Sequence, residues 1–172
     1  LGMRSRAHAV SVITAAHSGR RYGMTATAVC SATAEPPTLL VCLNKASATH
    51  GGVTRAKAFC VNVLRAEDAD LSNLFSGAQS GEGRFKSREW SRLATGSPVL
   101  VDALVSFDCR VVKKLAHGSH TIFLGQVEQR EGITQQIGND RQRRIEHVEN
   151  RFNGRQDGVD CTENRSQQFG NG

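Results

Sequence analysis

The segment from Ala103 to Lys114 constrains the fold more than any other part of the chain. Ala103, Val105, Phe107, Cys109 and Val111 are set against Ser106, Asp108, Arg110 and Lys114. A period of two sustained over that length belongs to one long β-strand. His117-Gly118-Ser119 then turns the chain back into a second strand over Thr121 to Val127. The sequence therefore predicts a long antiparallel hairpin as the spine of the fold.

Shorter strands precede it. Val10, Val12 and Ile13 mark a strand over Ala9 to Ala15, and His17 to Arg21, with Gly19, reads as the turn into a second strand from Tyr22 to Thr33. Pro36 and Pro37 punctuate before Thr38 to Leu43, whose continuous apolar run predicts a strand buried on both faces. Ser47 or Thr49 can cap a short helix running toward Lys57. Phe59 to Leu64 reads as a strand, while Leu71, Leu74 and Phe75 recur at helical spacing behind Asp68 and Asp70. Gly77 to Gly83 reads as a loop. Many strands joined by short turns, with few helices, predict a mainly β protein: an antiparallel barrel with peripheral helices.

The chain of 172 residues is read as one domain over residues 1–131, followed by a polar extension over 132–172. From Ile133 onward six Arg balance six Asp or Glu, so the net charge of +6 resides in the body before it. Glutamine, asparagine and glycine dominate that extension, and Ile145, Val148 and Phe152 could give it one narrow helical stripe. A basic body can attract anionic ligands such as nucleotides, or can serve solubility alone. Dispersed basic residues and an aromatic content of 5% argue against nucleic acid. No apolar run approaches the roughly 18 residues of a membrane span. Leu1-Gly2-Met3 does not open a signal peptide, so a cytoplasmic location is expected. Cys30, Cys42, Cys60, Cys109 and Cys161 show no C-x-x-C spacing and are expected to be mostly buried, reduced thiols.

Two segments carry chemistry. The first is Gly23-Met24-Thr25-Ala26-Thr27-Ala28-Val29-Cys30-Ser31, followed by Pro36-Pro37-Thr38-Leu39-Leu40-Val41-Cys42-Leu43-Asn44 and then Ser47-Ala48-Thr49-His50. Small side chains with interspersed hydroxyls allow close approach of a planar ring, although Thr, Ala and Val also simply pair in sheets. Ser47 and Thr49 stand before a helix whose free N–H groups attract an anion, although a plain cap would look the same. The second is Gly118-Ser119-His120 leading into Thr121-Ile122-Phe123-Leu124-Gly125-Gln126-Val127. His117 and His120 form an H-x-x-H pair, but on a strand they are expected to face opposite sides, and no metal site is predicted.

Together these segments resemble the short-chain NAD(P)H:flavin reductases from Arg4 to about Val127. The resemblance implies an FMN-binding split β-barrel that works as a homodimer, with the flavin near the subunit interface. It implies FMN as cofactor, with FAD the alternative flavin, and NADH or NADPH as co-substrate. Thr25, Ala26, Thr27, Ala28, Val29 and Ser31 would contact the ring and ribityl chain. Cys42, Leu43 and Asn44 would lend backbone contacts, and Ser47, Thr49, His50 and Arg84 would lie by the phosphate. His120 would help to place the nicotinamide, with Ser119 standing where the family usually has Asp or Thr.

The function so implied is hydride transfer from nicotinamide to flavin, supplying a partner monooxygenase such as 4-hydroxyphenylacetate 3-monooxygenase. A variant within the same resemblance is an FMN-dependent reductase of cob(II)yrinic acid a,c-diamide, with a corrinoid as electron acceptor. A reading from another class is a flavin-binding electron carrier or store without reductase activity.

Overall fold

The computed structural model describes residues 9–77 and 81–132. The helix expected over Ile145, Val148 and Phe152, together with Cys161 and the rest of the extension beyond residue 132, lies outside the described residues.

The strands are β1 Ser11–His17, β2 Arg20–Ala26, β3 Val29–Thr33, β4 Thr38–Asn44, β5 Ala58–Val63, β6 Trp90–Arg92, β7 Pro98–Leu100, β8 Val105–His117 and β9 His120–Gly132. Helices α1 Ala48–Ala56 and α2 Ala69–Ser76 and a 3-10 turn over Glu82–Ser87 complete the described secondary structure. Seven strands form one antiparallel sheet in the order β2-β1-β5-β8-β9-β4-β3, and β6 and β7 form a separate hairpin. The two ends of that order, β2 and β3, are neighbours in sequence, joined by Thr27 and Ala28. Side chains from strands distant in the order, including Ile13, Val41, Phe59, Cys109 and Phe123, share one core at 0% exposure. The sheet therefore curls on itself into an antiparallel barrel left open along one seam, the expected mainly β fold.

The seam corrects the expectation of one strand from Tyr22 to Thr33. The chain leaves the β1 ladder after Ala26 and joins β4 at Val29, with the Cys42 amide donating to the Ala28 carbonyl at 3.0 Å. One run of strand-like sequence thus serves both edges of the barrel. Local propensity reads it as continuous because both halves are extended.

The expected long hairpin is β8 with β9, and two of its polar residues are buried while Arg110 and Lys114 are exposed. Ser106 and Asp108 are buried at 1% and 0% exposure, because the hairpin of β6 and β7 covers them. Asn62 organises that cover. Its side-chain amide donates to Val12 and Thr14, and its carbonyl accepts from the Leu100 amide at 2.8 Å and the Ser106 hydroxyl at 2.9 Å. The Asp108 carboxylate accepts from the backbone and hydroxyl of Thr95, while burial pushes its pKa up.

A second apolar cluster, with Val12, Leu71, Phe75, Phe85 and Leu100, lies outside the barrel wall. Successive residues of β1 divide between the two: Ile13 inward, Val12 outward. The expectation of burial on both faces holds for only one side of β4. Val41 and Leu43 are in the barrel core, whereas Leu40 and Cys42, which point the other way, are only half-buried. The cysteines also depart from the expectation: Cys60 and Cys109 are buried, Cys42 is intermediate and Cys30 is exposed, and all are free thiols. Burial pushes the Cys109 thiol up to about 12, which keeps it protonated and inert. No described helix is long and apolar enough to cross a membrane.

Candidate functional site

Helix α1 begins where β4 ends. Ser47 caps it, accepting from the His50 amide at 3.1 Å while its hydroxyl donates to the Asn44 carbonyl at 2.9 Å. This settles the capping alternatives for Ser47, since Thr49 lies inside the helix and is buried. The helix first turn carries no acidic residue, so its free amides and positive end favour an anion. Close packing fixes the helix against the barrel. A Cβ on Gly52 would stand 2.5 Å from the Tyr22 ring, and Val53 enters the core.

The second motif arrives from β9. Asn44 pairs with His120 across the β4–β9 ladder. The Lys45 amide donates to the Ser119 carbonyl at 2.9 Å, and its ammonium donates to the Gly118 carbonyl at 2.7 Å. Gly118 holds a left-handed φ of 52°, which the tight turn requires and a glycine supplies at little cost. His50 Nε2 shares a hydrogen bond of 2.9 Å with the Thr121 hydroxyl, and its ring meets Phe123 edge-on at 5.4 Å. Ser119 Oγ lies 2.8 Å from His120 Nδ1, and the His120 ring is exposed. Burial, then the ammonium groups of Lys45 and Lys114, hold the His50 pKa below its usual value.

His117 and His120 are paired directly across the turn. Opposed residues in an antiparallel ladder share a face, so the expectation that they face opposite sides is wrong. It counted positions along one strand, while the chain reverses between them. Among the described residues no group of three or more His, Cys, Asp or Glu is arranged to hold a metal.

The structure therefore brings Asn44, Ser47, His50 and His120 together, with Leu43 and Thr49 buried just beneath. The other expected residues distribute along the seam. Thr27, Ala28 and Ser31 are exposed, while Ala26 and Val29 pack inward against the core. Thr25 points away from the barrel interior, its hydroxyl donating to the Ser72 carbonyl of α2 at 2.7 Å. Arg84 stands on that same outer side of β2, donating to the Gly23 carbonyl at 3.0 Å with its guanidinium 5.0 Å over the Phe75 ring. Cys42 lies on the outer face of β4 and its side chain turns from the core.

These surroundings fit a flavin. Met24, Ala26, Val29 and Leu39 offer half-buried apolar surface at the seam. The α1 start offers an anion site, and Arg84 Nε is buried without a hydrogen-bond partner in a guanidinium that makes no described ion pair. Sequence reasoning missed Lys45, Thr121 and Lys114. A signal for them was present: no Asp or Glu occurs from Thr38 to Lys57 or from Val111 to Val127.

A barrel open along one seam, with a Ser47-capped helix start and a histidine turn meeting at its mouth, fits a flavin-handling oxidoreductase. The sequence pattern of the flavin reductase like domain matches residues 3–148. The chain belongs to the flavin reductase family. It is 49% identical over 127 residues to the FMN reductase (NADH) RutF of Acinetobacter baylyi, covering 74% of this chain and 68% of that protein. It is 49% identical over 119 residues to the RutF of Pantoea ananatis, covering 69% of this chain and 63% of that one. Among solved structures, BorF, the flavin reductase component of a bacterial two-component tryptophan halogenase, superposes with a TM-score of 0.70 at 30% identity, over 76% of this chain and 82% of that chain.

Proposed function

We propose that the chain is an NADH-dependent FMN reductase, working as a homodimer in the cytoplasm and supplying reduced flavin to a separate flavin-dependent monooxygenase. The observation that carries this reading is convergence. His50 and Thr121, 71 positions apart, are hydrogen-bonded, and around them the Asn44-to-His50 and Gly118-to-His120 motifs form one mouth.

Each residue then has a task. Ser47 fixes the helix start that receives the flavin phosphate. The exposed Thr27, Ala28 and Ser31 line the seam for the ring, with Ala26 and Val29 packed behind them. His120, held through Nδ1 by Ser119, orients the nicotinamide. The bound flavin supplies the redox chemistry by accepting hydride, so the protein's contribution is placement rather than proton transfer. Residues 1–131 carry this function, with 132–172 as an addition to it.

Exposure of Thr27, Ala28 and Ser31 supports a flavin that exchanges with solvent. Exchange suits diffusible delivery to a monooxygenase such as 4-hydroxyphenylacetate 3-monooxygenase better than electron transfer to a corrinoid. The dimer rests on the outer sheet face, where Leu40, Cys42, Ile122 and Leu124 are half-buried and Leu115 is 60% exposed. A second copy would cover this apolar face.

The test is anaerobic stopped-flow of the FMN-loaded protein. NADH should bleach the flavin, and His120→Ala should slow bleaching by about 10-fold or more through poorer nicotinamide placement. A yellow protein inert to NADH and NADPH would overturn the reading in favour of a flavin store.

A further inference from the structure

His50 is where the two motifs touch. It is the third residue of α1, its amide donates to the Ser47 hydroxyl at 3.1 Å, and its Nε2 shares the 2.9 Å bond with Thr121 of β9. Its Nδ1 makes no hydrogen bond among the described residues. Around the ring, β9 presents Thr121 and Phe123, Lys45 follows β4, and Lys114 stands on β8 opposite Phe123 and so shares its inner face. Both charged neighbours are ammonium groups. The segments Thr38 to Lys57 and Val111 to Val127 hold no Asp or Glu, and no described ion pair includes His50, Lys45 or Lys114. An imidazolium at this position has no described anion to face.

Burial, the two ammonium groups and the positive end of α1 all oppose a proton on this ring. A phosphate at the same helix start reverses the sign of that field. We propose that His50 couples binding of the flavin phosphate to proton uptake, so that FMN is held beside an imidazolium and loosened as the ring loses its proton. The proposal rests on the reductase reading above, in which the α1 start receives the phosphate, and adds a pH control to that site. The proton comes from solvent on binding and returns to it on release, so this contribution tightens binding as pH falls. A phosphate monoester itself titrates near about pH 6 in the opposite sense, because its monoanion is the weaker ligand. His50→Gln keeps that second effect and removes the first.

The test is an NMR titration of the imidazoles, with His50→Gln identifying the His50 signal, in the protein alone, with riboflavin and with FMN. The His50 midpoint should stay low alone and with riboflavin, and rise by about one pH unit or more with FMN. Between about pH 6 and pH 8 the parent should then lose about 3-fold or more FMN affinity relative to His50→Gln, read by calorimetry. Lys114→Gln, which removes a facing cation, should raise the midpoint of the ligand-free protein. A midpoint that bound FMN leaves unmoved would overturn the coupling, and with normal bleaching by NADH it would do so alone. Equal rises with riboflavin and FMN would trace the shift to the ring end of the flavin and also overturn it. A midpoint raised by FMN alone, in a protein inert to NADH and NADPH, would support the coupling and sink the reductase reading. Failure to bind either flavin would overturn both.

Discussion

Lys45 grips Gly118: the ammonium donates to the glycine carbonyl at 2.7 Å, and the Lys45 amide bonds the next carbonyl, that of Ser119, at 2.9 Å. One residue at the end of β4 thereby fixes the turn from which His120 projects. Lys45→Met keeps the aliphatic stem and removes the donor. We expect faster hydrogen exchange at the Ser119 and His120 amides and flavin reduction slowed by about 3-fold or more, because a looser turn places the histidine less well. Unchanged exchange in that turn would show that the ammonium does not hold it.

His50 gives the mouth a pH dependence whose sign follows from its surroundings. Burial and the facing ammonium groups of Lys45 and Lys114 lower its pKa below 6.5 in the folded chain. The unfolded chain then binds the proton more readily, so stability falls as pH drops through and below the ordinary histidine range. His50→Gln, which retains a partner for Thr121, should show a shallower loss of stability on acidification. Urea midpoints from about pH 5 to 7 measure this, and parallel curves for the two proteins would contradict it.

Asn62 joins three strands and the outer hairpin through bonds to Val12, Thr14, Leu100 and Ser106. Asn62→Ala leaves several buried partners unsatisfied, and we expect about 3 kcal/mol or more of lost stability by urea denaturation. A loss below about 1 kcal/mol would mean that the network relaxes around the gap.

Gly125 admits no side chain. A Cβ there would lie 2.3 Å from Phe59 Cζ and 2.9 Å from Cys109 Cβ, both in the barrel core. Gly125→Ala should cost about 2 kcal/mol or more, and combining it with Phe59→Leu should recover part of that loss, read from thermal midpoints.

What was legible in the sequence was whatever local pattern controls. The β8–β9 hairpin, the capped helix after Asn44 and the two motifs appear where the residues put them. The alternation in β8 does not show that Ser106 and Asp108 are buried, because their partners Asn62 and Thr95 lie on other elements. The split at Thr27 was hidden because both halves are extended, and only ladder partners tell one strand from two. The His117–His120 relation failed for a related reason: hairpin register, not position along a strand, sets which face a residue takes. Lys45 and Thr121 act through pairings that no single segment displays.

The seam has a consequence for how the barrel can vary. Elsewhere in the main sheet, an extra residue inside a strand would shift a ladder and turn inward side chains outward. Between β2 and β3 no such ladder exists to shift, since each strand takes its register from a different neighbour, β1 or β4. The Thr27-Ala28 link can therefore lengthen or shorten while the seven-strand order stays as it is. The barrel thus has an adjustable joint between its two open edges.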